Sequence, residues 1–239
     1  MLRFLWALPQ SLYRGFVVYL PGEAGILLRR RYYQKRFRSC GRNLTILPGA
    51  QIRGERWIEA GDDVMIRENV VLHTGPGPAD DRRDLVSIGH YEGRERGLVR
   101  IGNRSRIAFG AVLLGYGGIS IGEKCGIGPG AVILSESFHH KGSDPTRVYK
   151  YCDGADPEER CVLQGFVDLK DGAGVASQAI VLPGSTIGRD AWVAPHSVVR
   201  VGGVVPDNVI AKGDPAGVVF RRSYGRPGDP AAAPRPTES

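Results

Sequence analysis

Hydrophobic residues in the C-terminal half of the chain recur at every sixth position. Seven aliphatic residues follow this spacing: Leu169, Val175, Val181, Ile187, Val193, Val199 and Val205. Two positions before each of the last six stands a small residue: Ala173, Ala179, Ser185, Ala191, Ser197 and Gly203. A helix repeats its buried face about every 3.6 residues and a strand every second residue, so neither produces this pattern. The sequence therefore contains hexapeptide repeats.

The same six-residue register runs through earlier segments of the chain. Its aliphatic positions there are Ile46, Ile52 and Ile58, then Ala60, Ile66 and Leu72, then Ile101, Ile107, Leu113 and Ile119, and then Ile121, Ile127 and Ile133. An inserted pair of residues restarts the count at four places: Ile58/Ala60, Val99/Ile101, Ile119/Ile121 and Val167/Leu169. We interpret each restart as the beginning of a new coil.

Three hexads form one triangular coil when each supplies a short strand and a turn. Successive coils stack through parallel strand hydrogen bonds, about 4.8 Å apart. The aliphatic residue and the small residue two positions earlier both point inward, because strand side chains alternate between faces. Glycines such as Gly102, Gly122, Gly184 and Gly188 permit the turns. The predicted fold is all-β, a parallel β-helix over residues 41–222 whose stability comes from stacking.

The remaining segments do not follow the repeat. Residues 73–98 and 135–166 are long polar insertions, which we expect to be loops with a functional role. Residues 1–40 predict one or two amphipathic helices, broken near Pro21-Gly22. Residues 223–239 are rich in proline and predict a disordered tail.

The charge of the chain is +7, with a pI of about 9.4. Such a balance suits nucleic acid, an anionic membrane surface or a phosphorylated small molecule. Much of the charge lies in Leu27–Arg38, which contains no acidic residue. No apolar run reaches the roughly 20 residues that span a bilayer, and Met1–Leu20 lacks the features of a signal peptide. We therefore expect a cytoplasmic protein.

The four cysteines are Cys40, Cys125, Cys152 and Cys161, and no pair forms a CxxC element. Four cysteines in 239 residues do not constitute a disulfide framework, so we expect free thiols in a reducing compartment. A disulfide or metal role for Cys152 and Cys161, which flank an acidic loop, is the alternative.

Residues 40–222 resemble the hexapeptide-repeat acyltransferases. The resemblance is most specific in VLPGSTIGRDAWVAPHSVV (181–199) and in the closing element VPDNVIAKGDPAGVVFRR (205–222). It is greatest to the O-acetyltransferase branch, which includes galactoside, maltose and polysaccharide-modifying enzymes. The resemblance implies a left-handed β-helix, acetyl-CoA as donor and a hydroxyl of a sugar or polysaccharide precursor as acceptor. It also implies a homotrimer with active sites between subunits, and no metal.

The resemblance also suggests which residues act. The general base of the family corresponds to His139 in LSESFHH (134–140), with Glu136 as its acidic neighbour and His140 as the alternative base. Position in the later coils assigns coenzyme A contacts to Ala176, Ser177, Ala194, Pro195 and Arg200, and phosphate contacts to Lys212, Arg221 and Arg222. The chain departs from the family at Gly174, where relatives often have Trp, and at Gly217, where they often have Lys or Arg.

Several alternatives stay open at this point. The chain could be a non-catalytic β-helix scaffold, or a γ-class carbonic anhydrase, which needs three histidines around Zn²⁺. His73 and His90 lie in or beside the first insertion and are candidates for substrate contact. The basic N-terminal segment could bind an anionic membrane surface weakly or could cap the first coil. A cap accounts for its apolar residues but leaves its arginines unexplained. No nucleic acid partner is expected.

Overall fold

The computed structural model describes residues 2–76, 85–89, 91, 93–140 and 160–221. Three long sheets form the walls of a β-helix. Sheet 1 contains β1 (Ser39–Cys40), β4 (Ile58–Ala60), β8 (Val99–Ile101), β11 (Ile119–Ile121), β16 (Val167–Leu169), β19 (Thr186–Ile187) and β22 (Val204–Val205). Sheet 2 contains β2 (Thr45–Ile46), β5 (Met65–Ile66), β9 (Arg106–Ile107), β12 (Gly126–Ile127), β17 (Gly174–Val175), β20 (Trp192–Val193), β23 (Val209–Lys212) and β24 (Gly217–Arg221). Sheet 3 contains β3 (Gln51–Arg53), β6 (Val71–His73), β10 (Val112–Leu114), β13 (Val132–Leu134), β18 (Ile180–Val181) and β21 (Val198–Val199).

Strands follow one another in the order sheet 1, sheet 2, sheet 3, and each pairs in parallel with its equivalent in the next coil. The final pair, β23 with β24, is antiparallel and closes the C-terminal end. The parallel β-helix predicted from the hexads is therefore confirmed.

The four restart pairs are the two ends of three-residue strands in sheet 1. In β4, β8, β11 and β16 the first and third residues are both buried, as in Ile58/Ala60 and Val99/Ile101. A three-residue strand turns both of its ends inward because side chains alternate. The extra pair in the sequence is thus the signature of the longer strand that begins a coil.

Of the glycines expected to permit turns, Gly184 has the positive φ (77°) that such a role requires, whereas Gly102 and Gly122 have a different role. Gly102 and Gly122 precede the turns from sheet 1 to sheet 2, but the residues with positive φ there are Arg104 (59°) and Lys124 (55°). A Cβ at Gly102 would lie 2.5 Å from the carbonyl carbon of Gly122. These glycines therefore allow coils to approach closely rather than allowing an unusual backbone conformation.

Two helices, α1 (Leu2–Tyr19) and α2 (Gly22–Gln34), cover the N-terminal end, with the break at the predicted place. The carbonyls of the inward residues point toward the preceding coil, as when Leu47 N donates to Ile66 O (2.9 Å), so those of the first coil need other donors. The fully buried Arg29 donates from Nε to Ile46 O (2.7 Å) and from Nη1 to Leu20 O (2.7 Å). Arg30 donates to Leu44 O (2.7 Å). The expectation that a cap leaves the arginines unexplained is wrong for these two, because they satisfy backbone groups that no other coil can reach.

Candidate active site

Both insertions leave the helix at the turns that join sheet 3 to sheet 1, which we call the insertion corner. The first follows β6 and the second follows β13. Each is closed at its base: Gly75 N donates to Gly97 O (2.9 Å), and Gly165 N donates to Ser135 O (3.0 Å). The insertions therefore project from the same edge of the helix without interrupting its stack.

The insertions are not merely loops, as the sequence suggested, because they share a small sheet. Its strands are β14 (Glu136–His140), β15 (Arg160–Gly165) and β7 (Leu85–Ile88). The central strand, β15, pairs antiparallel with β14 and parallel with β7. Two segments about 75 residues apart in sequence thus form one lobe beside the β-helix, and Cys161 and Leu163 are buried within it.

Two arginines of the first insertion fasten this lobe to the helix. Arg94 lies over the Phe166 ring at 4.6 Å and pairs with Asp168 at 2.9 Å. Arg96 lies over the Tyr91 ring at 4.3 Å and donates to Gln164 Oε1 at 3.0 Å. Each arginine combines a cation–π contact with a hydrogen bond to a residue that leads into sheet 1, so the geometry at the base of the lobe is fixed.

Glu136 lies in the interior of this arrangement, 7% exposed, and accepts a hydrogen bond from Gln164 Nε2. Burial, with a further contribution from Glu136, raises the pKa of Tyr116. Burial also raises the pKa of Tyr91, where the nearby Arg96 opposes the effect and Glu136 adds to it. The Glu136 carboxylate is therefore within electrostatic range of two tyrosine hydroxyls.

His73 ends β6 beside Arg53 of β3, its partner in the sheet register. Its Nε2 atom is buried and has no hydrogen-bond partner in the described part of the chain. Burial, followed by the positive charge of Arg53, lowers the pKa of His73, so its imidazole is neutral at pH 7. The positive charge of Arg53 also acts on Tyr116, where it opposes the rise in pKa caused by burial and by Glu136. Arg53, His73, Tyr116 and Glu136 thus form one polar group at the insertion corner.

Sequence reasoning identified Glu136 in this group and kept His73 as a candidate, but missed Arg53, Tyr116 and Tyr91. A signal did exist for Arg53. Ile52 and Leu72 occupy equivalent inward positions 20 residues apart, so the residues that follow them, Arg53 and His73, must be neighbours. No such register applies to Tyr116 or Tyr91, which lie in turns.

The two candidate bases lie on β14, where His139 is paired in register with Cys161 and His140 with Arg160. Their side chains fall outside the described structure. His90, the other histidine considered for substrate contact, also lies outside the described residues. The choice between His139 and His140 therefore stays a prediction.

Five of the residues assigned to coenzyme A stack at the corner that joins sheet 2 to sheet 3: Ala176, Ser177, Ala194, Pro195 and Lys212. The stacking is direct, since Ala194 N donates to Ala211 O at 2.8 Å and His196 N donates to Ser177 O at 3.2 Å. Arg200 instead follows β21 at the insertion corner.

Arg221 ends β24, with its side chain outside the described structure, and Arg222 lies outside the described residues altogether. Within one chain the width of sheet 3, roughly 10 Å for three residues, separates the sheet 2–3 corner from the insertion corner.

The departure at Gly174 has a structural counterpart. Gly174 is paired in register with Trp192 of the next coil. A Cβ at Gly174 would lie 2.7 Å from Cδ1 of Trp192. The indole of Trp192 therefore covers the position at which relatives often carry their own Trp.

Cys40 and Cys125 are free thiols, Cys161 is buried in β15, and Cys152 lies outside the described residues. Burial raises the pKa of Cys125 to about 11. In the ranges that the structure covers, no three His, Cys, Asp or Glu side chains are grouped so that they could hold a metal ion.

No protein-family model matches this sequence, and no curated protein matches it. Solved structures do. AntD, an N-acyltransferase from Bacillus cereus in complex with dTDP and 3-hydroxybutyryl-CoA, has a TM-score of 0.61 at 20% identity, covering 82% of this chain and 88% of that one. A hexapeptide-repeat acetyltransferase from Vibrio cholerae complexed with acetyl-CoA has a TM-score of 0.53 at 17% identity, covering 86% and 81%.

A maltose O-acetyltransferase from Clostridium difficile has a TM-score of 0.53 at 14% identity, covering 88% of this chain and 83% of that one. The chain therefore has the fold of the hexapeptide-repeat acyltransferases, a left-handed parallel β-helix, and the resemblance seen in its sequence is confirmed at the level of the fold.

Proposed function

We propose that this protein is a coenzyme-A-dependent acyltransferase that moves an acetyl group to a hydroxyl of a sugar or polysaccharide precursor. The observation that carries this proposal is the convergence of both insertions at one corner of an acyltransferase fold. There Glu136 is buried, and β14, the strand of His139 and His140, begins. A histidine carried by a strand at this corner is suited to general base catalysis, which requires a base held within hydrogen-bond reach of the proton that it removes.

In the proposed reaction, a histidine of β14 removes the proton of the acceptor hydroxyl as its oxygen attacks the thioester carbonyl. Collapse of the tetrahedral intermediate then breaks the carbon–sulfur bond, and coenzyme A leaves as a thiol that takes the proton from the histidine. A near-neutral imidazole is suited to this step. A backbone N–H near Ser177 would stabilise the developing oxyanion. The polar group formed by Arg53, His73 and Tyr116 would position the acceptor, since orientation supplies a large part of the rate.

The proposed assembly is a homotrimer. Five of the eight residues assigned to coenzyme A stack at the sheet 2–3 corner, whereas Glu136 and the start of β14 lie at the insertion corner, as does Arg200. In the described part of one chain those five residues do not meet Glu136. Cyclic association would bring one corner of each chain against the other corner of its neighbour and would complete three equivalent sites.

Acetyl-CoA binding and thiol release test the proposal directly. The purified protein is titrated with acetyl-CoA, and free thiol is then followed with sugars that carry hydroxyl groups and with their amino counterparts. The second arm is needed because a variant of AntD was crystallised with dTDP-4-amino-4,6-dideoxyglucose, an amino sugar. Release with hydroxyl acceptors supports O-acetyl transfer, and release with amino sugars alone changes the acceptor atom. The absence of both binding and release would favour the scaffold.

The N-terminal helices would hold the enzyme against an anionic membrane surface on its cytoplasmic side. Neither helix in the described part of the chain is long and apolar enough to cross a membrane. Their outer surface nevertheless carries Leu12, Phe16, Tyr19 and Leu27, each 57–65% exposed. Exposed basic side chains follow at the end of α2, namely Arg31, Lys35 and Arg36. An apolar stripe bordered by cations is typical of helices that lie in the bilayer interface, and the free thiols fit a reducing compartment.

A further inference from the structure

We propose that the groove between α1 and sheet 3 binds a phosphate or diphosphate group of the acceptor. The cavity measures about 280 Å³, and its polar lining consists of Ser11, Arg14, Tyr19, Gln51 and Arg53. Anion binding at this place stands on the cavity itself, whereas its role in presenting the acceptor rests on the proposed acyl transfer.

The charges in the groove favour an anion. Arg14 pairs with Glu55 at 3.3 Å and donates to the carbonyl of Ile52, so part of its bonding capacity is used. Arg53 is exposed and forms no ion pair in the described part of the chain. A guanidinium presents a planar set of donors that matches phosphate oxygens two at a time. One acid against two arginines leaves the groove with a net positive charge that is centred on Arg53.

The groove leads to the candidate active site along the outer surface of sheet 3. Arg53 is the immediate neighbour of His73, and the register continues through Leu114 to Leu134, the residue from which the second insertion departs. Arg53 and Leu134 are three coil spacings apart, about 14 Å at about 4.8 Å each. A sugar linked through a diphosphate covers a comparable length once the reach of the Arg53 side chain is included. The anion would thus be held at one end and the reacting hydroxyl presented at the other.

His73 supports this orientation. Its buried Nε2 lacks a partner in the described structure, although buried polar atoms are normally hydrogen-bonded. A neutral imidazole beside Arg53 can donate to or accept from a sugar hydroxyl, and it can donate to a phosphate ester oxygen. A bound acceptor would satisfy this atom, which accounts for a buried polar group that the described residues leave unpaired.

The test is the binding of inorganic pyrophosphate to the full-length protein, measured by isothermal titration calorimetry at low salt. We expect Arg53→Gln to weaken binding about 10- to 100-fold, the effect of losing a charge-assisted contact. The matched control is Arg106→Gln, which changes the net charge equally and replaces an exposed strand arginine on sheet 2. Equal weakening in both variants, or no binding to the wild type at millimolar pyrophosphate, would overturn the proposal. Because Arg53 is exposed, its replacement should not alter thermal stability, which a melting curve verifies.

The source of the phosphate is distinguished by competition against bound pyrophosphate. Uridine diphosphate represents a nucleotide-linked acceptor and farnesyl diphosphate a lipid-linked one. Stronger competition by one identifies the group that occupies the apolar part of the groove near Val18. If neither displaces pyrophosphate, the groove does not accept a substituted diphosphate and the acceptor role is refuted.

Kinetics separate this inference from the proposed function. If acetyl transfer occurs, Arg53→Gln should raise KM for a phosphate-bearing acceptor and leave KM for acetyl-CoA unchanged. If no acceptor releases thiol but pyrophosphate still requires Arg53, the acyl transfer fails and the anion site stands. If acetyl transfer occurs but Arg53→Gln changes neither pyrophosphate binding nor KM for the acceptor, the anion site is refuted and the acyl transfer stands.

Discussion

Replacing Arg29 with Met tests how the open end of the β-helix is closed. The guanidinium is fully buried and donates to the carbonyls of Ile46 at 2.7 Å, Leu20 at 2.7 Å and Val17 at 3.2 Å. Met has a similar length but no donor, so these carbonyls lose their partner. A buried polar group left unsatisfied costs about 1–3 kcal/mol. Three carbonyls at the low end of that range give about 3 kcal/mol of destabilisation.

One contribution acts in the opposite direction. Burial lowers the pKa of Arg29, which means that the charged guanidinium is held at a cost that Met does not incur. We therefore expect the free energy of unfolding to fall by about 2–4 kcal/mol, which a urea titration followed by circular dichroism measures.

Arg31→Met on the exposed side of the same helix is the control and should change the free energy of unfolding by no more than about 0.5 kcal/mol. Because a stacked protein can open from one end, amide exchange at Thr45 and Leu47 of the first coil should accelerate in Arg29→Met. Unchanged midpoints and unchanged exchange would show that Arg29 does not hold the cap.

Four further outcomes are expected. His139→Ala should lower kcat about 10²- to 10⁴-fold in the thiol-release assay, and His140→Ala should not. The reverse result would assign the general base to His140. Full activity in both variants would refute the mechanism. Sedimentation should give a trimer at micromolar concentration, and a stable monomer would exclude a shared site. Anionic vesicles should co-sediment the protein at low salt and lose it at high salt, whereas no binding at low salt leaves only the cap. The thiol of Cys125 has a pKa near 9.0 unfolded and about 11 folded, so it should contribute a fall in stability of about 2 kcal/mol across that interval, and Cys125→Ala should remove this contribution from the slope.

The hexad pattern was sufficient to predict the helix because its cause is local. An inward residue such as Ile127 contacts its equivalents one coil away, and every coil repeats the same requirement. The lobe was not predictable in this way. Leu85 of β7 meets Val162 of β15 through a pairing that neither segment's own pattern specifies. Composition likewise cannot distinguish an arginine that satisfies buried carbonyls, such as Arg29, from one that is solvated.

Only part of the candidate site could be predicted from the sequence, for a related reason. Glu136 was found because it belongs to a motif that continues one strand. His73 was named only for its place in or beside the first insertion, and its neighbour Arg53 was missed, because the two belong to different coils and face outward. Outward residues carry no hydrophobic signal. The proximity of Arg53 and His73 follows from the register of the inward residues Ile52 and Leu72. The hexads therefore encode this proximity only indirectly.

The position of the lobe follows from the geometry of a stacked helix. Because each coil returns to the same corner, insertions after β6 and β13 must emerge above one another, two coil spacings or about 10 Å apart. The turn between them, Gly115–Gly118, must therefore stay flat. A Cβ at Gly117 would lie 2.2 Å from Ser135 O, and one at Gly118 would lie 2.7 Å from the Phe166 ring. Tyr116 carries the one long side chain of that turn, and burial followed by the charge of Glu136 raises the pKa of its hydroxyl.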